Sequence, residues 1–275
     1  MSVRSLGGKT IVISGGSRGI GLAIALAAAR QGANIVLLAK TATPDPRLPG
    51  TIYTAAAAIE KAGGTACPVV GDIRDETAVQ TAVDTAVARF GAIDVCINNA
   101  SAISLAGTLE LSPKRFDLMQ QVNVRGTWLL TRACLPHLMK VENPHVLTLS
   151  PPLNLSPRWL GAHPAYTISK YAMTMLTLGW AEEYRDTGIG FNCLWPQTLI
   201  DTAAVRNVVA ADREDVRARS PEIMADAAMV MLGREAATYS GNCEIDAELL
   251  AAEGVDDFTR YGGGRNPEPD LFLGE

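Results

Sequence analysis

A phenol and a primary amine stand four residues apart in Tyr166-Thr167-Ile168-Ser169-Lys170. In a helix that spacing puts both side chains on one face. A tyrosine with its ordinary pKa of about 10 is a poor base near neutral pH. An ammonium one turn away favours the phenolate, so the oxygen can exchange a proton with an alcohol or a carbonyl. An exposed helical pair of no chemical consequence has the same spacing, so the meaning of this one depends on what the rest of the chain brings to it.

Short apolar runs alternate with longer helical patterns along the chain. Runs at 10–14 (TIVIS), 34–39 (NIVLLA), 66–70, 94–97, 145–149 and 190–194 predict strands, and their near-continuous apolar character suits strands covered on both faces. Stretches 19–31, 51–62, 76–90, 114–139 and 165–185 predict helices between them. This alternation implies βαβ units and an α/β fold with a doubly wound parallel sheet flanked by helices, in a single domain spanning 1–275. The Pro-rich stretch 43–50 is a surface connection too short to link domains. Residues 199–223 are expected to be a variable, partly mobile substrate segment, and 262–275 a Gly/Pro-rich tail.

The first strand runs into Gly15-Gly16-Ser17-Arg18-Gly19-Ile20-Gly21 and then a helix. Glycines there let the backbone turn sharply and approach a pyrophosphate, which rests on unpaired N–H groups at the helix start. A nucleotide site is therefore expected at Gly15, Ser17, Arg18, Gly19, Ile20 and Gly21. Folds that bind NAD commonly end their second strand with an acid that takes the ribose hydroxyls. Here that strand ends Leu38-Ala39-Lys40-Thr41, without one. Lys40, with Arg18 in the turn, suits a 2′-phosphate instead, and NADP is the expected cofactor. Asp72 follows the third strand and Asn98-Asn99-Ala100 the fourth, both at the sheet edge where open α/β sheets bind ligands. Asp72 could accept from an adenine amino group or merely cap a turn.

Composition excludes other classes. The 24 Lys and Arg against 29 Asp and Glu give a net charge of −5, and no basic run exists to drive nucleic-acid binding. Cys67, Cys96, Cys134, Cys193 and Cys243 are odd in number and contain no CxxC pair, which fits a reducing compartment. Met1 to Lys9 lack the apolar core of a signal peptide, and no run approaches 18 apolar residues. A cytoplasmic protein without a membrane span is expected. His137, His145 and His163 are scattered without the partners of a metal site, so no metal is expected.

The ordered set (Gly-rich turn, Asp72, Asn98-Asn99-Ala100, Asn123, Tyr166-x3-Lys170, Pro196) resembles the short-chain dehydrogenase/reductase family over about residues 8 to 250. The resemblance implies a Rossmann-type sheet, hydride exchange with a nicotinamide, Tyr166 as proton donor and acceptor, and Lys170 supporting it and holding the nicotinamide ribose. It also implies that Asn99, Ala100, Tyr166 and Pro196 border the cofactor, and that Asn123 helps hold a water of the proton relay; a packing role is the alternative for Asn123. Strings such as Ser150-Pro151-Pro152-Leu153-Asn154-Leu155 and Pro269-Asp270-Leu271-Phe272-Leu273 are similar to the hydroxysteroid dehydrogenase-like branch. Some members of that branch carry a sterol-carrier domain, which a chain ending at Glu275 is expected to lack.

The chain departs from the family pattern in three places. Members usually have a serine thirteen positions before the tyrosine, which here is Leu153. A small insertion would move that role to Ser150; otherwise the Ser150 hydroxyl simply ends its strand. The family's Asn-Asn-Ala-Gly reads Asn98-Asn99-Ala100-Ser101, and its Pro-Gly reads Pro196-Gln197, which adds a polar group where the nicotinamide would lie. The expected activity interconverts a ketone and a secondary alcohol on a bulky apolar, lipid- or steroid-like molecule. The missing serine motivates an alternative, an NADP(H)-binding redox sensor with little turnover. By resemblance, helices 114–139 and 165–185 would pair subunits into a homodimer or homotetramer.

Overall fold

A computed structural model describes residues 4–45, 48, 50–209, 213 and 215–274. Pro46, Arg47 and Pro49 of the Pro-rich connection, 210–212 and 214 of the substrate segment, and Glu275 of the tail lie outside the described residues. Seven parallel strands run among the described residues: β1 (Thr10–Ser14), β2 (Asn34–Ala39), β3 (Thr65–Val70), β4 (Val95–Asn98), β5 (His145–Thr148), β6 (Gly190–Trp195) and β7 (Cys243–Ile245). Their order is β3-β2-β1-β4-β5-β6-β7, so chain direction across the sheet reverses between β1 and β4. That reversal opens a crevice at the strands' carboxyl ends.

The apolar runs become strands because helices cover both faces. Alternate residues of β1 point opposite ways: Ile11 and Ile13 join one core, Val12 the other. The first core packs against α1 (Gly19–Ala29), α2 (Ile52–Lys61), α8 (Glu222–Leu232) and α9 (Asp246–Ala252). The second packs against α3 (Glu76–Phe90), α5 (Gly126–Leu138) and α7 (Pro164–Glu183). Local signals set the helix ends. Thr51 caps α2 reciprocally with Thr54, Asp75 caps α3, and Gly91 ends α3 in the left-handed region at φ 82°.

Three features differ from the expected elements. The expected helix over 114–139 is α4 (Pro113–Met119), a π-helical stretch Gln120–Arg125 and α5. The extra residue of a π turn leaves no mark in side-chain periodicity and commonly occurs at functional sites. Strand β7 was not anticipated, since three residues including Glu244 are too short a pattern to separate from loop. Between β5 and α7 lies a short helix α6 (Pro157–Ala162), and around it a third cluster gathers Trp159, Tyr166, Tyr171, Trp195 and Phe272.

Candidate active site

A crevice of ≈ 510 Å³ runs along the carboxyl edge of the sheet. Gly15, Arg18 and Lys40 line one end, and Tyr166, Lys170 and Asp270 the other, so the nucleotide elements and the tyrosine–lysine pair share one cavity. Its volume falls in the range of small-molecule sites, about 300–1,000 Å³.

The turn at the first end is shaped by missing side chains. Gly15 has φ 71°, and a Cβ there would lie 2.9 Å from the Ala100 Cα. A Cβ on Gly21 would sit 2.9 Å from the Asn99 Cγ. No substituted residue fits either place. No side-chain hydrogen bond caps the N-terminus of α1 and its first turn holds no acid, an arrangement that suits an anion at the helix start. This cradle fits the pyrophosphate of a nicotinamide dinucleotide, and Lys40 lies exposed at the end of β2. Ser17 and Ile20 line the crevice, whereas Gly21 lies beneath it.

Arg18 spans the mouth, donating to the Thr41 Oγ1 at 3.5 Å and the Gly50 carbonyl at 2.7 Å. Asp72 lines the crevice, but Arg74 engages both its oxygens, Nε to Oδ1 at 3.0 Å and Nη2 to Oδ2 at 2.7 Å. This pairing holds the Asp72 carboxyl below its ordinary pKa. Asn99 and Ala100 border the cavity, yet the Asn99 amide is spent on the Ser14 and Gly15 carbonyls, both at 3.0 Å. Ser14, which no motif singles out at the end of β1, accepts from the N–H groups of Asn99 and Ala100 at 3.2 and 3.1 Å and so ties β4 to β1.

At the other end α7 begins with Pro164 at its first turn and carries Tyr166 and Lys170 on one face. Tyr166 is only 5% exposed, and its exposed part faces the crevice. Burial pushes its phenol up, the Asp270 charge adds to this, and Ser101 opposes it. Lys170 donates to the Leu149 carbonyl at 2.6 Å and lies 5.0 Å from the Trp195 ring centre. Burial brings the Lys170 amine down to about 7, against the opposing influence of Asp270 and Cys193.

Asn123, in the π-helical stretch, is fully buried. Its amide donates to the Ala102 carbonyl and the Ser169 Oγ, both at 2.9 Å, and its Oδ1 accepts from the Ala102 N–H at 2.7 Å. These bonds tie the segment after β4 to α7. Ser150 requires a correction. It is fully buried, does not line the crevice, and accepts from the Thr174 hydroxyl at 3.0 Å because the chain after β5 turns it under the sheet. Leu153 lies outside the crevice, 41% exposed. Ser101, at the position of the departed glycine, lines the crevice, and its hydroxyl opposes the upward push of burial on the Tyr166 phenol.

Pro196 lines the crevice, but Gln197 does not; its N–H donates to the Asp246 Oδ1 at 2.7 Å and its carbonyl accepts from the Asp270 N–H at 3.1 Å. The segment after β6 roofs the cavity with Thr202, Val205 and Val208. Among the described residues no group of three His, Cys, Asp or Glu could hold a metal ion.

The geometry is that of a nucleotide-dependent oxidoreductase, and likeness to known proteins agrees. The short chain dehydrogenase profile matches residues 9–213, and the chain belongs to that family. Hydroxysteroid dehydrogenase-like protein 2 of Danio rerio is 52% identical over 270 residues, which are 98% of this chain and 64% of the relative. The chain thus spans less than two thirds of that relative's length. A short chain dehydrogenase of Mycobacterium thermoresistibile has 51% identity and a TM-score of 0.92 over 98% of this chain and 96% of its own. L-sorbose reductase of Gluconobacter frateurii, solved with NADPH and L-sorbose, has 25% identity and a TM-score of 0.74 over 89% of this chain and 97% of its own.

Proposed function

We propose that the protein is an NADP(H)-dependent oxidoreductase that interconverts a ketone and a secondary alcohol on a bulky apolar molecule. The observation that carries this reading is the opening of Tyr166 and Lys170 into the same crevice as the glycine cradle and Lys40. The cofactor, when bound, supplies or takes the hydride. Gly15, Ser17, Gly19 and Ile20 would hold its phosphates at the start of α1, and Lys40 and Arg18 its 2′-phosphate. Tyr166 passes a proton to or from the substrate oxygen, and Lys170 favours the phenolate and holds the ribose. The NADPH bound by the sorbose reductase supports the cofactor choice.

Apolar walls from Ile103, Leu118, Val122 and Leu271 favour a lipid- or steroid-like substrate. The free thiols Cys67, Cys96, Cys134, Cys193 and Cys243 suit the cytoplasm. No described helix is long and apolar enough to cross a membrane. Trp128 on α5 and Ile168 and Met175 on α7 are exposed, which suits a homodimer or homotetramer joined through those helices.

The buried Ser150 favours a second reading, an NADP(H)-binding sensor with little turnover, because it removes one polarising donor from the substrate oxygen. A panel of cyclic and long-chain ketones assayed with NADPH at neutral pH separates the two. Turnover on at least one apolar ketone is expected. Tight NADPH binding without turnover on any member supports the sensor.

A further inference from the structure

The far end of the chain delivers a carboxylate to the pair on α7. Residues 268–274 run back along the segment after β6: the Glu268 carbonyl accepts from the Leu199 N–H at 2.8 Å, and Pro269 bridges Thr198. Beyond Asp270, the Leu271 carbonyl accepts from the Trp195 Nε1 at 3.0 Å, and the Phe272 carbonyl from the Asn154 amide at 3.1 Å. Phe272 is 1% exposed, and the rings of Trp159, Tyr166, Tyr171 and Trp195 surround it at 5.2–6.0 Å. Its φ of 72° is a left-handed conformation that phenylalanine seldom adopts. Such a conformation persists only where the surroundings impose it. Asp270 is therefore anchored on both sides and faces the crevice beside Tyr166 and Lys170.

The contacts of Lys170 leave it short of negative charge. Its Nζ meets the Leu149 carbonyl, the Met173 sulfur at 3.7 Å and the Trp195 ring, all neutral. Burial works against a charged amine there, and the groups that counter it are Asp270 and then the Cys193 thiol. Among the described residues the Asp270 carboxylate has one hydrogen bond, from the Leu271 N–H to Oδ1 at 2.6 Å. On its other side stands Asp246, at the start of α9, whose Oδ1 accepts from the N–H groups of Gln197 and Ala247 at 2.7 and 2.6 Å. Burial lifts the Asp246 carboxyl to about 6, against the pull of those two hydrogen bonds and of Arg219, and Glu248 adds to the lift.

We propose that Asp270 is a positioning residue for the proton transfer: its carboxylate, brought in by the tail, is the counter-charge that keeps Lys170 an ammonium beside Tyr166. The proposal rests on the reading of Tyr166 and Lys170 given above. Burial lifts the Asp270 carboxyl to about 7 and lowers the Lys170 amine to about 7, so the two groups change charge over the same pH range. The sign follows from the charges. Without Asp270, nothing of comparable strength offsets burial, and Lys170 loses its proton at a lower pH.

The test is Asp270→Asn, which retains an oxygen for the Leu271 N–H. In the cofactor-free protein with 13C-labelled lysine, the Lys170 resonance, assigned by its loss in Lys170→Arg, should titrate about one pH unit lower or more. The alkaline limb of the activity profile should move down by a similar amount with KM little changed, and Asp270→Glu should restore both. Should the amide dislodge the tail, seen as altered emission of Trp159 and Trp195, Asp270→Ser carries the same titration. An unmoved Lys170 titration in variants whose tail stays seated overturns the proposal, provided Tyr166→Phe is inactive. A fully active Tyr166→Phe overturns instead the reading on which it rests.

Discussion

The turn at 15–21 and the tail at 268–274 close on the same crevice from opposite ends of the chain. The turn works by leaving atoms out: Gly15 and Gly21 let backbone and Asn99 approach to distances that a Cβ would forbid. The tail works by putting side chains in, with Phe272 seated among four aromatic rings and Asp270 lining the crevice that Lys170 also lines. A cradle for phosphates needs backbone donors and close approach, which local sequence controls. A lining for proton transfer needs burial and charge, and any part of the chain that reaches the site can supply them.

This contrast can be broken at either end. The largest effect is expected from Gly15→Val, where a β-branched residue must adopt φ 71° against the Ala100 backbone. Calorimetry should register a stability loss of about 2 kcal/mol or more. NADPH binding, followed by tryptophan fluorescence, should weaken by more than about tenfold, and a tight-binding Gly15→Val would show that the cradle is not where phosphates sit. Phe272→Ala should cost about 1–2 kcal/mol, below the roughly 3–5 usual for core phenylalanine, because the tail can detach and its left-handed residue relaxes. Limited proteolysis should then cut near the C-terminus before the body of the protein; unchanged resistance would mean that the ring does not hold the tail. The smallest change is expected from Lys40→Glu. Lys40 is exposed and screened by salt. The preference for NADPH over NADH should nonetheless fall by about tenfold, or roughly 1.4 kcal/mol, in paired titrations. An unchanged ratio would remove the argument for NADP.

The same contrast explains what could be read in the sequence. The strand–turn–helix of β1 and α1 was legible because its glycines, apolar run and helical period all fall within about twenty neighbouring residues. Helix α3 was read from Glu76 to Phe90, where Asp75 and Gly91 mark both ends. Tyr166 and Lys170 were visible because one helical turn relates them. Ser150 was misplaced because its orientation is set by the chain path after β5, where Thr174 of a distant helix captures the hydroxyl. Ser101 was seen as a lost glycine, and only the fold shows a hydroxyl gained beside Tyr166. Asp270 belonged to a string that carried resemblance without a role, since its meaning comes from Lys170, far away along the chain.

The proposed reading gives Tyr166 the proton transfer and only a small share in holding the nucleotide. Its most direct test is Tyr166→Phe, with NADPH binding and reduction of the best substrate measured on the same preparation. NADPH affinity should stay within about twofold of wild type. Reduction should fall by about 10²–10⁴-fold, the usual worth of a positioned acid or base. A variant that still turns over at close to the wild-type rate would contradict the account.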